Sequence, residues 1–157
     1  MTYDVASAAR VLINPEPEYT QHFRNDILII DDNWYNMMAV ISLLKGFNLE
    51  ADAATSGEEG MDLVKKRLTS NMTTYKLIMM DYSMPVLNGA QTTLLIRQIL
   101  TNQAPDLPQP FVCCLTSYAE RNYRYEAFKA GMDGFLNKPV FKTGLKRLLT
   151  KAQVMKK

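Results

Sequence analysis

Residues 77–89 read Leu77-Ile78-Met79-Met80-Asp81-Tyr82-Ser83-Met84-Pro85-Val86-Leu87-Asn88-Gly89. Four apolar residues in a row, without alternation, predict a strand covered on both faces, and such strands belong to parallel sheets. The run ends at Asp81, Pro85 and Gly89 punctuate a loop, and Thr92–Leu100 follows with helical periodicity. The same grammar recurs outward in both directions. Ile27–Ile30 is apolar and ends at Asp31-Asp32; Phe111–Leu115 is apolar and ends at Thr116; the short Gly134–Leu136 ends just before Lys138-Pro139. Between these runs lie helical patterns: 34–46, with Met37, Met38, Val40, Ile41 and Leu44 on its apolar stripe and Gly46 at its end, then about 119–130, stopping at Gly131, and 141–154. A weaker strand is expected at 49–54. Ser56 followed by Glu59 forms the capping-box spacing that opens a helix to about Leu68. Strands alternating with helices build a parallel sheet with right-handed crossovers, so the expected architecture is a doubly wound α/β domain.

The chain of 157 residues has room for one such domain. Residues 1–25 precede the first strand as an N-terminal extension, and their Asn14-Pro15-Glu16-Pro17 stretch favours extended backbone. Residues 26–155 form the domain. Its apolar runs are too short to span a membrane, and the N-terminus lacks a secretory pattern. Cys113 and Cys114 are neighbours on a predicted strand, so they face opposite ways and do not suit a disulfide or a shared metal. With a single His, His22, zinc is not expected, and the expected setting is a reducing, cytoplasmic one. The net charge of +2 is unevenly spread. Lys142, Lys146, Arg147, Lys151, Lys156 and Lys157 make the tail basic and leave twelve basic against sixteen acidic residues elsewhere. That distribution does not describe a nucleic-acid-binding surface.

In a doubly wound sheet, ligands bind beyond the carboxyl ends of the strands. The residues placed there are Asp31, Asp32, Asp81, Thr116 and Lys138. Singly, each has a plainer role: an Asp can cap a helix or form a turn, a Thr can cap, and a Lys can be a solvated surface charge. Together they form three carboxylates, a hydroxyl and an ammonium on one edge. Clustered carboxylates need a cation, and Mg²⁺ suits carboxylate, water and phosphate oxygens. Lys138 and Thr116 are placed to hold further phosphoryl oxygens, one by charge and one by hydrogen bond.

Asp31-Asp32, the string M-D-Y-S-M-P-V-L-N-G from Met80 to Gly89, L-T-S from Leu115 to Ser117, and Lys138-Pro139 resemble, as an ordered set, the signature of response-regulator receiver domains. Thr116 stands 22 residues before Lys138, and the resemblance covers about residues 26–155. It implies a flavodoxin-like fold, strand order 2-1-3-4-5, with helices on both faces. It also implies that Asp81 accepts a phosphoryl group from a phosphohistidine. Asp31, Asp32, Asp81 and the backbone carbonyl of Ser83 would ligate Mg²⁺, Thr116 and Lys138 would bind phosphoryl oxygens, and Phe135 would turn inward when Thr116 moves. The implied function is a Mg²⁺-dependent phosphoacceptor in a histidine-to-aspartate phosphorelay, not a turnover enzyme. Its implied partners are a histidine kinase or histidine phosphotransfer protein as phosphodonor and a downstream protein, with neither nucleic acid nor membrane. His22 lies in the extension, so the donor is another molecule or another part of a longer protein such as a hybrid histidine kinase.

Two departures from compact family members are visible, longer segments at 65–74 and 101–110, along with a bulky Tyr118 two residues after Thr116. Tyr118 and Ser83 are expected to flank the water path to the phosphoryl group. The ten methionines read as core packing. Tyr118, Tyr123, Tyr125 and Phe128 crowd one predicted helix as core, interaction face or both, and the basic last helix reads as a solvated face. The alternative function is a pseudo-receiver that scaffolds partners without phosphorylation. A phosphohydrolase using Asp81 as nucleophile lacks its second acid, because Ser83 stands there, and a flavin-binding flavodoxin lacks a phosphate loop after the first strand.

Overall fold

The computed structural model describes residues 25–117 and 123–157. Five strands, β1 (Ile27–Ile30), β2 (Ala51–Ala54), β3 (Leu77–Asp81), β4 (Phe111–Thr116) and β5 (Gly134–Asn137), alternate with α1 (Trp34–Lys45), α2 (Gly57–Asn71), α3 (Gly89–Gln103), α4 (Arg124–Lys129) and α5 (Lys142–Lys151). All neighbouring strands pair in parallel in the order β2-β1-β3-β4-β5. The expected doubly wound, flavodoxin-like sheet is the observed one.

Strand alternation divides the interior into two layers. Ile27, Ile29, Leu77, Met79, Cys113 and Leu115 pack with Met37, Val40 and Leu44 of α1 and Leu145, Leu148 and Leu149 of α5. Leu28, Ile30, Ile78, Met80, Tyr82, Val112 and Cys114 pack with Val64 and Leu68 of α2, Ile96 and Leu100 of α3 and Ala127 of α4. The two cysteines are therefore buried, unbridged and in different layers. The basic residues of α5 are all exposed while its leucines are buried, as a solvated face requires. Among the described residues, no helix is long and apolar enough to cross a membrane.

Several boundaries differ from expectation for local chemical reasons. Helix α3 begins at Gly89, not Thr92, because Asn88 and Gln91 form a reciprocal capping box, with Gln91 N donating to Asn88 Oδ1 at 2.8 Å and Asn88 N to Gln91 Oε1 at 3.0 Å. At α2 the box is incomplete. Ser56 Oγ accepts from Glu59 N at 3.1 Å, but the Glu59 carboxylate reaches back to Thr55 N and Oγ1. That helix runs past Leu68 to Asn71, where Met72 closes it in the left-handed conformation at φ 53°. Met72 and Met38 are exposed, a correction to the reading of every methionine as core. The helix expected over 119–130 is described from Arg124 onward, and its earlier part, with Tyr118, lies outside the described residues. So does the extension through residue 24, with His22. Asn25 is tied to the sheet, its Nδ2 donating to Asp52 Oδ1 at 2.9 Å.

Candidate functional site

The residues singled out at strand ends converge on the carboxyl edge of the sheet. Asp31 follows β1 and is fixed by its backbone, its N–H donating to Ala54 O at 3.1 Å. Its carboxylate Oδ1 accepts from Asn33 N at 2.8 Å, and Asn33 in turn caps α1 by accepting from Tyr35 N and Asn36 N. Asp81 closes β3 and Thr116 closes β4; both are buried. Lys138 follows β5, positioned by its backbone N–H donating to Thr116 O at 2.8 Å. Its ammonium bridges the two buried acids, 2.7 Å from Asp81 Oδ1 and 3.2 Å from Asp31 Oδ2.

Asp32 is exposed but close. One carboxylate oxygen each from Asp31, Asp32 and Asp81 lies within 4.8 Å of the others. Burial pushes the Asp81 carboxyl up to about 7, against the pull of the Lys138 ammonium, with Asp31 and Asp32 adding to the rise. Burial of Lys138 works against its charge, but Asp81 and, after it, Asp31 outweigh that burial and push its ammonium above the usual lysine range. One ammonium does not balance three carboxylates, and Asp31 Oδ2 is buried without an aligned hydrogen-bond donor. A buried carboxylate oxygen that shares its one ammonium with a second acid, in an all-oxygen acidic cluster, fits a hard divalent cation such as Mg²⁺.

The loop after β3 is built to keep this edge compact. Leu87 N donates to Pro85 O at 2.8 Å around Val86, whose φ of 67° is left-handed and strained for a β-branched residue. This tight reversal brings Gly89 back so that its N–H donates to Tyr82 O at 2.7 Å. A Cβ at Gly89 would sit 2.4 Å from Asp81 O, so only glycine permits the approach. Ser83 lies on this loop, exposed, and shares with Asp32 a cavity of about 550 Å³ that also takes in Tyr82, Asn88, Tyr123 and Glu126. Phe135 is half-buried on β5 against the α2–α3–α4 layer, with the Arg124 guanidinium 5.1 Å from its ring centre.

Residues 27–150 match the response regulator receiver domain family. The chain belongs to that family. It is 34% identical over 125 residues to the osmosensing histidine protein kinase SLN1 of Saccharomyces cerevisiae, a match covering 79% of this chain and 10% of that protein. Hybrid signal transduction histidine kinase K of Dictyostelium discoideum is 29% identical over 115 residues, covering 72% of this chain and 9% of that protein. The receiver thus spans about a tenth of the length of these curated relatives. Among solved structures, the receiver domain of Saccharomyces cerevisiae Ssk1, crystallised with the histidine phosphotransfer protein Ypd1, superposes with TM-score 0.69 at 25% identity, covering 82% of this chain and 88% of that one. Vibrio cholerae CheY4 shares the fold at TM-score 0.66 and 22% identity, over 80% of this receiver and 96% of CheY4. This receiver is a two-component or phosphorelay signalling domain.

Sequence reasoning missed three site features. The Lys138 bridge between Asp31 and Asp81 is a distance no spacing reveals, and the Val86 turn carries no glycine to signal it. The third joins Tyr82 to α4, where its hydroxyl donates to Glu126 Oε2 at 2.9 Å. Its ring stacks on Tyr123 with centres 4.8 Å apart and planes 17° apart.

Proposed function

We propose that the receiver is a Mg²⁺-dependent phosphoacceptor, phosphorylated on Asp81 and relaying the state of a histidine phosphodonor to a downstream protein. The observation that carries this reading is the pairing of Lys138 with both Asp31 and Asp81 inside a carboxylate cluster that remains short of positive charge. Asp31, Asp32, Asp81 and the Ser83 carbonyl would hold Mg²⁺, which when bound supplies charge neutralisation for the phosphoryl oxygens. An Asp81 carboxylate oxygen attacks phosphorus in line; the P–N bond to the donor imidazole breaks, and its electron pair stays on the ring nitrogen. Lys138 moves from pairing with Asp81 to pairing with a phosphoryl oxygen, and Thr116 offers its hydroxyl to another. Water later cleaves the acyl phosphate, regenerates the carboxylate and releases inorganic phosphate. Phe135, half-buried and adjacent in the sheet to the Thr116 strand, is the switching aromatic.

The donor is a protein of the kind crystallised with Ssk1, a histidine phosphotransfer protein, or the kinase portion of a hybrid kinase such as those matched. Trp34, Tyr35 and Met38 on α1 and Val86 on the loop after β3 are exposed large apolar groups on elements that leave this edge, a surface for such a partner. Residues 26–155 are the receiver unit and 1–25 its extension. The two buried, unbridged cysteines suit a reducing, cytoplasmic setting.

The test is intact-mass spectrometry after incubation with Mg²⁺ and acetyl phosphate. One phosphoryl adduct, absent without Mg²⁺ and absent in Asp81→Asn, is the expected result. No adduct, together with no Mg²⁺ binding by titration calorimetry, overturns the reading in favour of a phosphorylation-independent scaffold.

A further inference from the structure

Beside the acidic cluster, the cavity of about 550 Å³ bounded by Asp32, Ser83, Asn88, Tyr82, Tyr123 and Glu126 has two charged lining residues, both acids. Asp32 belongs to the metal cluster already described. Glu126 belongs to α4, contributed from 44 residues beyond Tyr82 in sequence, and has no part in holding the metal or the phosphoryl group. Its carboxylate is nevertheless fixed. Tyr82 Oη donates to it at 2.9 Å, and the Tyr82 ring is itself buried and stacked on Tyr123. Tyr82 is also pinned by its backbone, its N–H donating to Leu115 O and its carbonyl accepting from Gly89 N. Burial and the neighbouring carboxylate push the Tyr82 hydroxyl far above its usual range, so it stays a donor.

The two cations of α4 point elsewhere. The Arg124 guanidinium lies over the Phe135 ring at 5.1 Å, and the Lys129 ammonium over the Tyr125 ring at 5.4 Å. The α4 side of the cavity therefore presents a positioned negative charge with no cation beside it among the cavity's described lining residues. The cavity borders the acidic cluster through Asp32, so a free phosphodonor that approaches the cluster from this side is an anion repelled by that charge. A protein donor that docks on the apolar groups of α1 brings binding energy from remote contacts to offset the same repulsion.

We propose that Glu126, held by Tyr82, is a specificity-determining residue that slows phosphorylation by small anionic phosphodonors, so that the receiver answers to a docked protein donor instead. The inference rests on the reading of Asp81 as the acceptor and adds a residue that sets the class of donor.

The experiment compares the full chain with Glu126→Gln and Glu126→Lys, following Asp81 adduct formation by intact mass in Mg²⁺. Glutamine keeps an oxygen that accepts from Tyr82, so only the charge changes. Two donors are used: acetyl phosphate, a dianion, and phosphoramidate, with net charge of one minus at neutral pH. At low salt Glu126→Gln should react with acetyl phosphate about three- to fivefold faster than wild type, with a smaller gain for phosphoramidate. Glu126→Lys should gain more than Glu126→Gln. All gains should collapse in about 1 M KCl, where the Debye length falls to about 3 Å. Equal rates for wild type and Glu126→Gln overturn the proposal, and so does a gain that is indifferent to salt or to donor charge. Failure of every protein, wild type included, to form an Asp81 adduct, together with no Mg²⁺ binding by titration calorimetry, overturns the acceptor reading itself, a result distinct from equal rates.

Discussion

Replacing Asp81 by asparagine in metal-free receiver is expected to stabilise the fold, by an amount that grows with pH. Asp81 and Asp31 are both buried and share a single ammonium, so one carboxylate's worth of charge is uncompensated in the interior. Burial is the main reason that the folded-state carboxyl titrates near 7, against 3.8 for an ordinary aspartate. The folded state thus binds more protons than the unfolded state between these values, and stability must fall as pH rises through that window. At about 1.4 kcal/mol per pH unit, the loss is on the order of 0.5 kcal/mol at pH 4 and 3–4 kcal/mol at pH 7. Lys138, whose folded pKa is raised, contributes stability that is lost only above the usual lysine range, so it does not shape this window. Asparagine leaves Lys138 paired one-to-one with Asp31 and removes the titration. Urea denaturation in EDTA at pH 4, 5, 6 and 7 should give a declining stability for wild type and a flatter profile for Asp81→Asn, the two diverging toward neutrality. Millimolar Mg²⁺ at pH 7 should restore wild-type stability, by about 2.7 kcal/mol when Mg²⁺ is at 100 times its Kd, and affect the variant much less. Parallel pH profiles for the two proteins would refute the reasoning, because they would mean that Asp81 carries no buried-charge penalty.

Three further outcomes follow from other parts of the fold. Gly89→Ala places a methyl 2.4 Å from Asp81 O; a loss of about 2–4 kcal/mol in urea melts, with loss of the Mg²⁺-dependent adduct, is expected. Val86→Asn should gain about 0.5–1 kcal/mol, since Val86 is 86% exposed, loses no packing, and occupies a left-handed backbone that asparagine tolerates. Arg97→Met should cost about 2–3 kcal/mol by thermal or urea unfolding, because the guanidinium donates to Gly131 O, Pro110 O and Asp133 Oδ2, each at 2.8 Å at its closest.

Each element is legible in the sequence to the extent that its signal is local. The apolar runs at 27–30, 77–80 and 111–115 were legible because strands covered on both faces have no polar alternation to confuse them. The polar residues that end them follow from topology alone. Helix α3 was read three residues short because Asn88 with Gln91 is a less familiar capping pair than Ser or Thr with Glu, and because Thr92 and Thr93 hide their hydroxyls by donating to Asn88 O and Gly89 O. Met38 illustrates the reverse error: an apolar residue on a helix is assigned to the stripe when its neighbour Met37 already fills that place. Arg67, a charged residue buried against the Tyr75 ring at 4.4 Å, and the Tyr82–Glu126 bond are invisible in sequence, since each depends on partners distant along the chain.

The alternation of side chains along the central strands has a consequence for how this receiver can be altered. Asp81 and Tyr82 are covalent neighbours, yet one faces the acidic edge and the other is packed among the residues of α2, α3 and α4, while Met79 and Leu115 belong to the layer of α1 and α5. The sheet acts as a partition between two compartments that share almost no side-chain volume. Substitutions in one compartment should therefore add to those in the other with little interaction energy, whereas pairs within a compartment should not. The Met37–Val40–Leu44 stripe and the leucines of α5 can be repacked as an independent store of stability, leaving the Tyr82–Glu126 side of the molecule free to vary.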